Sequence, residues 1–184
     1  MRPFRYLLVS LLVAAWPHSA AAGTWSFGSN LGFMVNSNQN ATETVVAWPG
    51  DVLAFQPGLR IGYVERTSPL EFYMDTGFLV ESSSGSSFRI WQASGNFQHG
   101  LNRRSASGPY LTGGVGFWMI GGSNSETHTV GSLGGGLGAR AVVGHGHGAF
   151  RGELRIDHFF EDQAAGVDAF TAVGVKLGFD LWMR

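Results

Sequence analysis

The chain has 184 residues, no cysteine, 28 glycines, 13% aromatic and only 14% charged residues. Its many aromatic residues and its formal net charge of −1 exclude a disordered chain, because disorder goes with few aromatic residues and a high net charge. The near-neutral balance also lacks the basic surplus of a nucleic-acid-binding protein. The absence of cysteine excludes disulfides and thiolate metal sites, and the length fits one domain.

The first 22 residues are predicted to be a cleaved secretory signal peptide. Arg2 and Arg5 give a positive start, residues 6–16 form a short apolar run, and residues 20–22 are the small alanines of a cleavage site. The apolar run is about half of the roughly 20 residues that a membrane-spanning helix needs, so an N-terminal membrane anchor is the less favoured alternative. Cleavage at the end of this segment leaves residues 23–184 as one exported domain.

The rest of the chain contains eight segments in which apolar and polar residues alternate, which is the two-residue period of a β-strand. The segments are residues 25–35, 51–64, 70–80, 88–101, 111–119, 132–143, 150–160 and 173–181. Each is close to the roughly ten residues with which a tilted strand crosses a bilayer. The alternation predicts an all-β fold, an eight-stranded antiparallel barrel.

Alternation alone does not say which face is inside, but the residue types favour a transmembrane barrel. The polar faces consist largely of small residues, which suit the narrow interior of an eight-stranded barrel, and the apolar faces carry almost no charge. The polar faces also hold five charges of each sign: Arg60, Arg140, Arg151, Arg155 and Lys176 with Glu71, Asp75, Glu153, Asp157 and Asp180. This balance predicts ion pairs in a filled polar lumen without a wide pore. The alternative is a soluble, lipocalin-like secreted barrel that binds a small apolar ligand.

The seventh segment carries the sharpest pattern. Its polar face presents a ladder of alternating signs, Arg151, Glu153, Arg155 and Asp157. Residues opposite one another on neighbouring strands interact, so we expect cross-strand ion pairs between this ladder and the last segment. The expected partners there are Lys176 and Asp180.

The connections fall into two sets, one at each end of the predicted barrel. Those at the outer end are residues 37–50, 81–87, 121–127 and 161–168, and those at the inner end are residues 65–69, 102–108 and 144–148. The outer set is longer on average, as in membrane barrels, and it is the more acidic. These acidic residues are interpreted mainly as solvated loop residues, with contacts to divalent cations or lipid headgroups as the alternative.

A signal peptide followed by eight alternating strands resembles the OmpA/OmpX-like family of small outer-membrane β-barrels of Gram-negative bacteria. The most specific pieces are residues 131–140 (GSLGGGLGAR) and 151–159 (RGELRIDHF), which look like the penultimate hairpin of that family. The resemblance implies a structural or surface-interaction role in the cell outer membrane after Sec-type export. It also implies contact with outer-membrane lipid and lipopolysaccharide, insertion by the barrel-assembly machinery, and a monomer. The family usually ends in an aromatic residue, whereas this chain ends in Arg184.

One residue suggests an enzyme as an alternative function. His158 lies near the outer end of its strand, and its position is similar to that of the histidine in outer-membrane lipid A deacylases, which use a His-x-Ser pair. The residue in the place of that serine is Phe160, which cannot act as a nucleophile. Asp168 could orient His158, but an oriented base without a nucleophile is not a catalytic triad. We therefore predict no catalytic residue and interpret His158 as an interfacial residue beside an aromatic belt.

Two further motifs are interpreted as structural. His145 and His147 flank Gly146 in a glycine-rich turn, and two imidazoles fall short of the usual three or four metal ligands. Residues 131–138 have glycine spacings like those of a phosphate-binding loop, but they lie inside a strand pattern and no helix follows. We predict no metal or cofactor site, and small residues in the lumen for close packing.

The signal peptide gives a direct prediction. Cleavage after Ala22 should leave a mature chain that begins at Gly23, because the small alanines before this bond fit the cleavage pocket. Intact-mass measurement and N-terminal sequencing of the exported protein check this. A mature chain that retains residues 1–22 would contradict the prediction and favour the membrane-anchor alternative.

Overall fold

A computed structural model describes residues 23–37, 42–47, 58–65, 69–83, 86–102, 105–122, 127–164 and 166–183. The predicted signal peptide, residues 1–22, lies outside the described residues, and so do residues 51–57 of the second predicted strand. Within the described parts of the chain, no helix is long and apolar enough to cross a membrane.

The described chain forms one antiparallel sheet that closes into a barrel, because the last strand pairs with the first from Trp25 with Met183 to Ser37 with Thr171. The strands are β1 (Gly23–Ser37), β2 (Thr42–Ala47), β3 (Gly58–Glu65), β4 (Leu70–Ser83), β5 (Ser86–Gly100), β6 (Gly108–Gly122), β7 (His128–Val143), β8 (Gly148–Phe159) and β9 (Phe170–Met183). A single 3₁₀ turn, Gly144–Gly146, joins β7 to β8. We call the end that holds both Gly23 and Met183 the inner end, and the opposite end the outer end.

Strands β2 and β3 share one place in the barrel wall. Residues 32–37 of β1 pair with β2, whereas residues 23–30 pair with β3. The wall therefore has eight positions, which confirms the predicted eight-stranded antiparallel barrel. The prediction that residues 37–50 are only a connection is wrong, since Thr42–Ala47 is a strand. This segment is rich in β-branched Thr and Val, which favour strands.

The register places the apolar and polar faces as predicted for a membrane barrel. Large apolar side chains lie exposed on the outside, among them Phe27, Phe72, Leu133, Leu154 and Leu177. The alternate side chains point into the lumen and are buried, among them Ser26, Asn30, Gln98, Thr112 and Ser132. The apolar faces therefore do not line a cavity, contrary to the soluble-barrel alternative. An apolar exterior of this kind has lipid as its solvent.

Pairs of rings mark the inner edge of the apolar exterior. Trp25 and Tyr63 meet edge to face with ring centroids 5.6 Å apart, and Phe150 and Phe179 lie 4.9 Å apart. Aromatic side chains of this kind gather where a bilayer meets water. We call these four residues the inner belt.

A second set of rings marks the outer edge. Trp91 and Phe117 lie 5.3 Å apart, and His158 and Phe160 lie 5.5 Å apart, both pairs edge to face. We call these four residues the outer belt. Phe150 and Phe160 are ten residues apart in the sequence. At a rise of about 3.3 Å per residue and a strand tilt of about 40°, these ten residues span about 25 Å along the barrel axis. The apolar band of membrane barrels has about this height.

A charge placed midway between the belts should destabilise the barrel. Leu154 lies midway along β8 and is 55% exposed, whereas Met183 is 63% exposed at the inner end of β9. Leu154→Arg should lower the free energy of unfolding from phospholipid vesicles by about 2–4 kcal/mol, and Met183→Arg by about 0–1 kcal/mol. Guanidinium titration monitored by tryptophan fluorescence measures both, and equal losses would contradict the assigned position of the bilayer.

Candidate functional site

The lumen holds the buried charges of the barrel. The ten charged residues predicted to face inward all do so: Arg60, Glu71, Asp75, Arg140, Arg151, Glu153, Arg155, Asp157, Lys176 and Asp180. All except Arg140 are at most 4% exposed. Each forms at least one ion pair with another of the ten, so the predicted internal pairing is confirmed.

At the inner end, Glu71 on β4 is held by two arginines. Its Oε1 accepts from Nη2 of Arg60 at 2.8 Å, and its Oε2 accepts from Nη1 of Arg140 at 2.6 Å. Arg140 also donates from Nε to the carbonyl oxygen of Ala106 at 2.9 Å, and its guanidinium lies 5.2 Å from the ring of Trp182. Arg140 therefore ties the connection between β5 and β6 to the lumen and covers its inner mouth.

Asp180 on β9 also binds two arginines and lies farther toward the middle of the barrel. Arg151 donates to its two carboxylate oxygens from Nε at 2.5 Å and from Nη2 at 3.0 Å. Arg60 approaches the same carboxylate with Nε at 3.8 Å. Since Arg60 also contacts Glu71, the two carboxylates are linked through one guanidinium. The pair of Arg151 with Asp180 confirms the predicted cross-strand contact.

A chain of polar contacts continues from Arg151 across the lumen. Its Nη2 donates to the side-chain oxygen of Asn30 at 2.8 Å, and the amide of Asn30 donates to Asp75 at 3.3 Å. The carboxylate of Asp75 also accepts a hydrogen bond from Nζ of Lys176 at 2.6 Å. Lys176 lies opposite Glu153 in the β8–β9 register, and its ammonium reaches across the barrel to β4.

The rest of the β8 ladder pairs partly along its own strand. Arg155 contacts Asp157 at 2.8 Å and Glu153 at 3.4 Å. Its Nη2 donates to the side-chain oxygen of Asn96 on β5 at 3.0 Å. These contacts along β8 and with β5 come in addition to the predicted pairs between β8 and β9. An arginine side chain is long enough to reach the carboxylates two residues away on the same face of its strand.

Two tyrosines fill the space between these charges. The guanidinium of Arg60 stacks on the ring of Tyr73, with 3.4 Å between Cζ of Arg60 and the ring centroid. The hydroxyl of Tyr73 is hydrogen-bonded to Oγ1 of Thr112 at 2.7 Å. Tyr110 donates its hydroxyl to Glu153 at 3.2 Å. Each ring therefore packs in the lumen while its hydroxyl is hydrogen-bonded, as buried tyrosine requires.

Inward glycines make room for these side chains. A Cβ on Gly134 would overlap the carboxylate of Asp157, and a Cβ on Gly138 would overlap the ring of Tyr110. A Cβ on Gly28 would likewise overlap Asp180. The interpretation of residues 131–138 as a strand with small residues for lumen packing is therefore correct.

The outer end of the lumen is apolar, which the sequence reasoning missed. The buried residues there are Trp118, Val130, Phe159 and Ala172, with Ile120, Val167 and Phe170 packed against them. Phe159 stacks on Phe170 with centroids 4.4 Å apart, and Trp118 lies 4.5 Å from Phe159. We call these seven residues the outer plug. The signal in the sequence is the loss of alternation in residues 117–120 and 158–160, where consecutive residues are bulky.

His158 lies on the outside of the barrel, as its register predicted. Its Nδ1 is 3.1 Å from Oγ1 of Thr171 on β9, and its ring meets Phe160 edge to face. Among the described residues, no carboxylate contacts the imidazole, and Asp168 lies exposed in the connection after β8. The arrangement is therefore not a triad with Asp168. Thr171 beside His158 is a contact that the sequence reasoning did not foresee.

The two turn histidines lie where β7 turns into β8. His145 and His147 are both exposed, and His145 has a left-handed φ of 56° between two glycines. The carbonyl oxygen of His147 accepts from the backbone nitrogen of Trp182 at 2.8 Å. The described residues contain no cluster of three or more groups suited to a metal ion. The turn closes the inner end of the barrel between β7 and β9.

The fold is that of small outer-membrane β-barrels. No known family model matches the chain, and no curated protein matches its sequence. The crystal structure of Neisserial surface protein A is similar with a TM-score of 0.64 and 12% identity, over 87% of this chain and 98% of that one. Ail of Yersinia pestis gives a TM-score of 0.47 at 13% identity, covering 88% and 97%. The first likeness confirms the expected fold, and the second is too weak to add to it.

Removing one partner of a lumen ion pair should lower the free energy of unfolding more than removing both partners. Lys176→Met leaves Asp75 buried without its ammonium partner, so the free energy of unfolding should fall by about 3–5 kcal/mol. The double variant Lys176→Met with Asp75→Asn should recover most of this loss, because no charge of the pair is left buried. Denaturant titration of both single variants and the double variant measures the coupling, and strictly additive losses would contradict a direct pair.

Proposed function

We propose that this protein is an integral outer-membrane β-barrel of a Gram-negative bacterium, with a structural or surface-interaction role and no enzymatic activity. One observation carries the proposal: an apolar exterior bounded by two belts encloses a lumen in which the charges neutralise one another. The exterior requires a bilayer. Strand barrels of this kind cross bacterial outer membranes, and the predicted signal peptide supplies Sec-type export.

The lumen is proposed to be filled, without a wide pore. The largest fully buried side chains include Arg60, Tyr110, Arg155, Phe159 and Lys176, all of which point inward. An eight-stranded barrel has an interior just wide enough for its side chains to fill. Arg140 with Trp182 covers the inner mouth, and the outer plug occupies the opposite end. These described side chains support a lumen that offers water and small ions no wide path.

The proposed partners are outer-membrane lipid and lipopolysaccharide around the belts, and the barrel-assembly machinery during insertion. β9 presents Val173, Val175, Leu177 and Leu181 outward as an alternating apolar row, the pattern that such machinery would read. The pairing of β9 with β1 leaves no open edge between the first and last strands. Open edges are what promote pairing between chains, so the paired seam between β1 and β9 supports a monomer.

A surface role is supported by the way the outer end is built. The connection between β8 and β9 presents Glu161, Gln163 and Asp168 as exposed polar residues. Neisserial surface protein A, which shares the fold, is named for such a location. We propose that the outer connections contact lipid, a partner or the environment, while the lumen keeps the barrel rigid beneath them.

The barrel and its closed lumen can be tested together on purified protein in detergent. A closed barrel should migrate differently on a gel before and after boiling, because its strands stay paired until heated. In planar bilayers the folded fraction should show no stable large conductance, since the lumen is filled by side chains. Identical mobility with and without boiling would contradict the barrel, and a steady porin-like current would contradict the filled lumen.

A further inference from the structure

The outer belt can be followed around half of the barrel through paired residues. Trp91 on β5 packs against Phe117 on β6, and Phe117 pairs with Gly131 on β7. The carbonyl oxygen of Gly131 accepts from the backbone nitrogen of Phe160 at 2.9 Å. His158, two residues earlier on β8, pairs with Thr171 on β9. The imidazole and the hydroxyl therefore lie in the band where hydrocarbon gives way to headgroups.

The imidazole of His158 is held in a defined orientation in this band. Thr171 contacts Nδ1 at 3.1 Å, and Phe160 packs against the ring at 5.5 Å with the planes 81° apart. The side chain is exposed, and Nε2 has no hydrogen-bond partner among the described residues. When the Thr171 hydroxyl donates to Nδ1, the ring proton resides on Nε2, which then presents a donor to the outside.

The surroundings of this donor point to a lipid headgroup as its partner. The outward neighbours on the same strand and on β7 and β9 are apolar: Ile156, Leu133 and Val173. The carboxylate of Asp157 is turned into the lumen against Arg155, and the other nearby acids, Glu161, Asp162 and Asp168, belong to the connection after β8. An unpaired donor facing hydrocarbon is costly, whereas the headgroup layer offers acceptors.

We propose that His158 and Thr171 form a contact site for a phosphate group of lipopolysaccharide in the outer leaflet. The proposal rests on the outer-membrane function proposed above and names the residues that engage its lipid partner. Nε2 donates to a phosphate oxygen, which is a strong, ionised acceptor. Thr171 is a positioning residue, because it fixes the ring without touching the phosphate. Phe160 packs against the ring edge to face and gives it a second contact.

The contact can be measured as the dipolar coupling between histidine nitrogen and lipid phosphorus. The barrel is labelled with ¹⁵N-histidine and reconstituted in phosphatidylcholine vesicles with and without lipid A. We expect ³¹P dephasing at Nε2 of His158 only when lipid A is present. His145 and His147, exposed in the inner turn, serve as internal controls and should show none. Thr171→Val keeps the β-branched shape, and the dephasing should be lost with the ring orientation.

Several outcomes would overturn the site. Dephasing that is equal in phosphatidylcholine alone would indicate an unspecific headgroup contact, and equal dephasing after adding inorganic phosphate to those vesicles would indicate free phosphate instead. Dephasing that is unchanged in Thr171→Val would remove the positioning role. Gel mobility before and after boiling is recorded on the same vesicles, so a barrel that is folded but shows no dephasing refutes the site while the proposed function stands.

Discussion

The neutralisation of charge inside a closed wall is the constraint on which the rest of the structure depends. Glu71, Asp75 and Asp180 cannot reach bulk water, and each is met by a guanidinium or ammonium group. The lumen charges lie on β3, β4, β7, β8 and β9, and a shift of one residue in any of these strands would move its charges into lipid. The ion pairs therefore fix the register of the wall, and the register places the apolar side chains in the bilayer.

Much of this could be predicted from the sequence, because a two-residue period separates the faces without any knowledge of the fold. The equal number of positive and negative charges on one face likewise predicted that they pair. The choice of partners across the lumen could not be predicted, as in the pair of Lys176 on β9 with Asp75 on β4. Such choices depend on the distances that closure creates between strands far apart in the sequence.

The misjudged parts share another physical cause. Strand Thr42–Ala47 follows a polar segment and precedes a proline, and those neighbours favour a loop in any local interpretation. Trp118 and Phe159 are apolar but face inward, so they break the alternation by which the strands were located. His158 was correctly placed on the outside, whereas its contact with Thr171 arises from the pairing of β8 with β9. Pairing between strands is a tertiary property that periodicity does not contain.

The outer plug also shapes the connection that leaves it. Val167 packs against the plug, and its backbone exchanges two hydrogen bonds with Asp162, at 2.9 and 3.1 Å. This pair, with Gly166 beside it at a φ of 65°, fastens the connection to the barrel. An antibody against this connection would meet a shaped epitope, defined by the folded barrel. Immunisation with a linear peptide of the same residues would present a different surface.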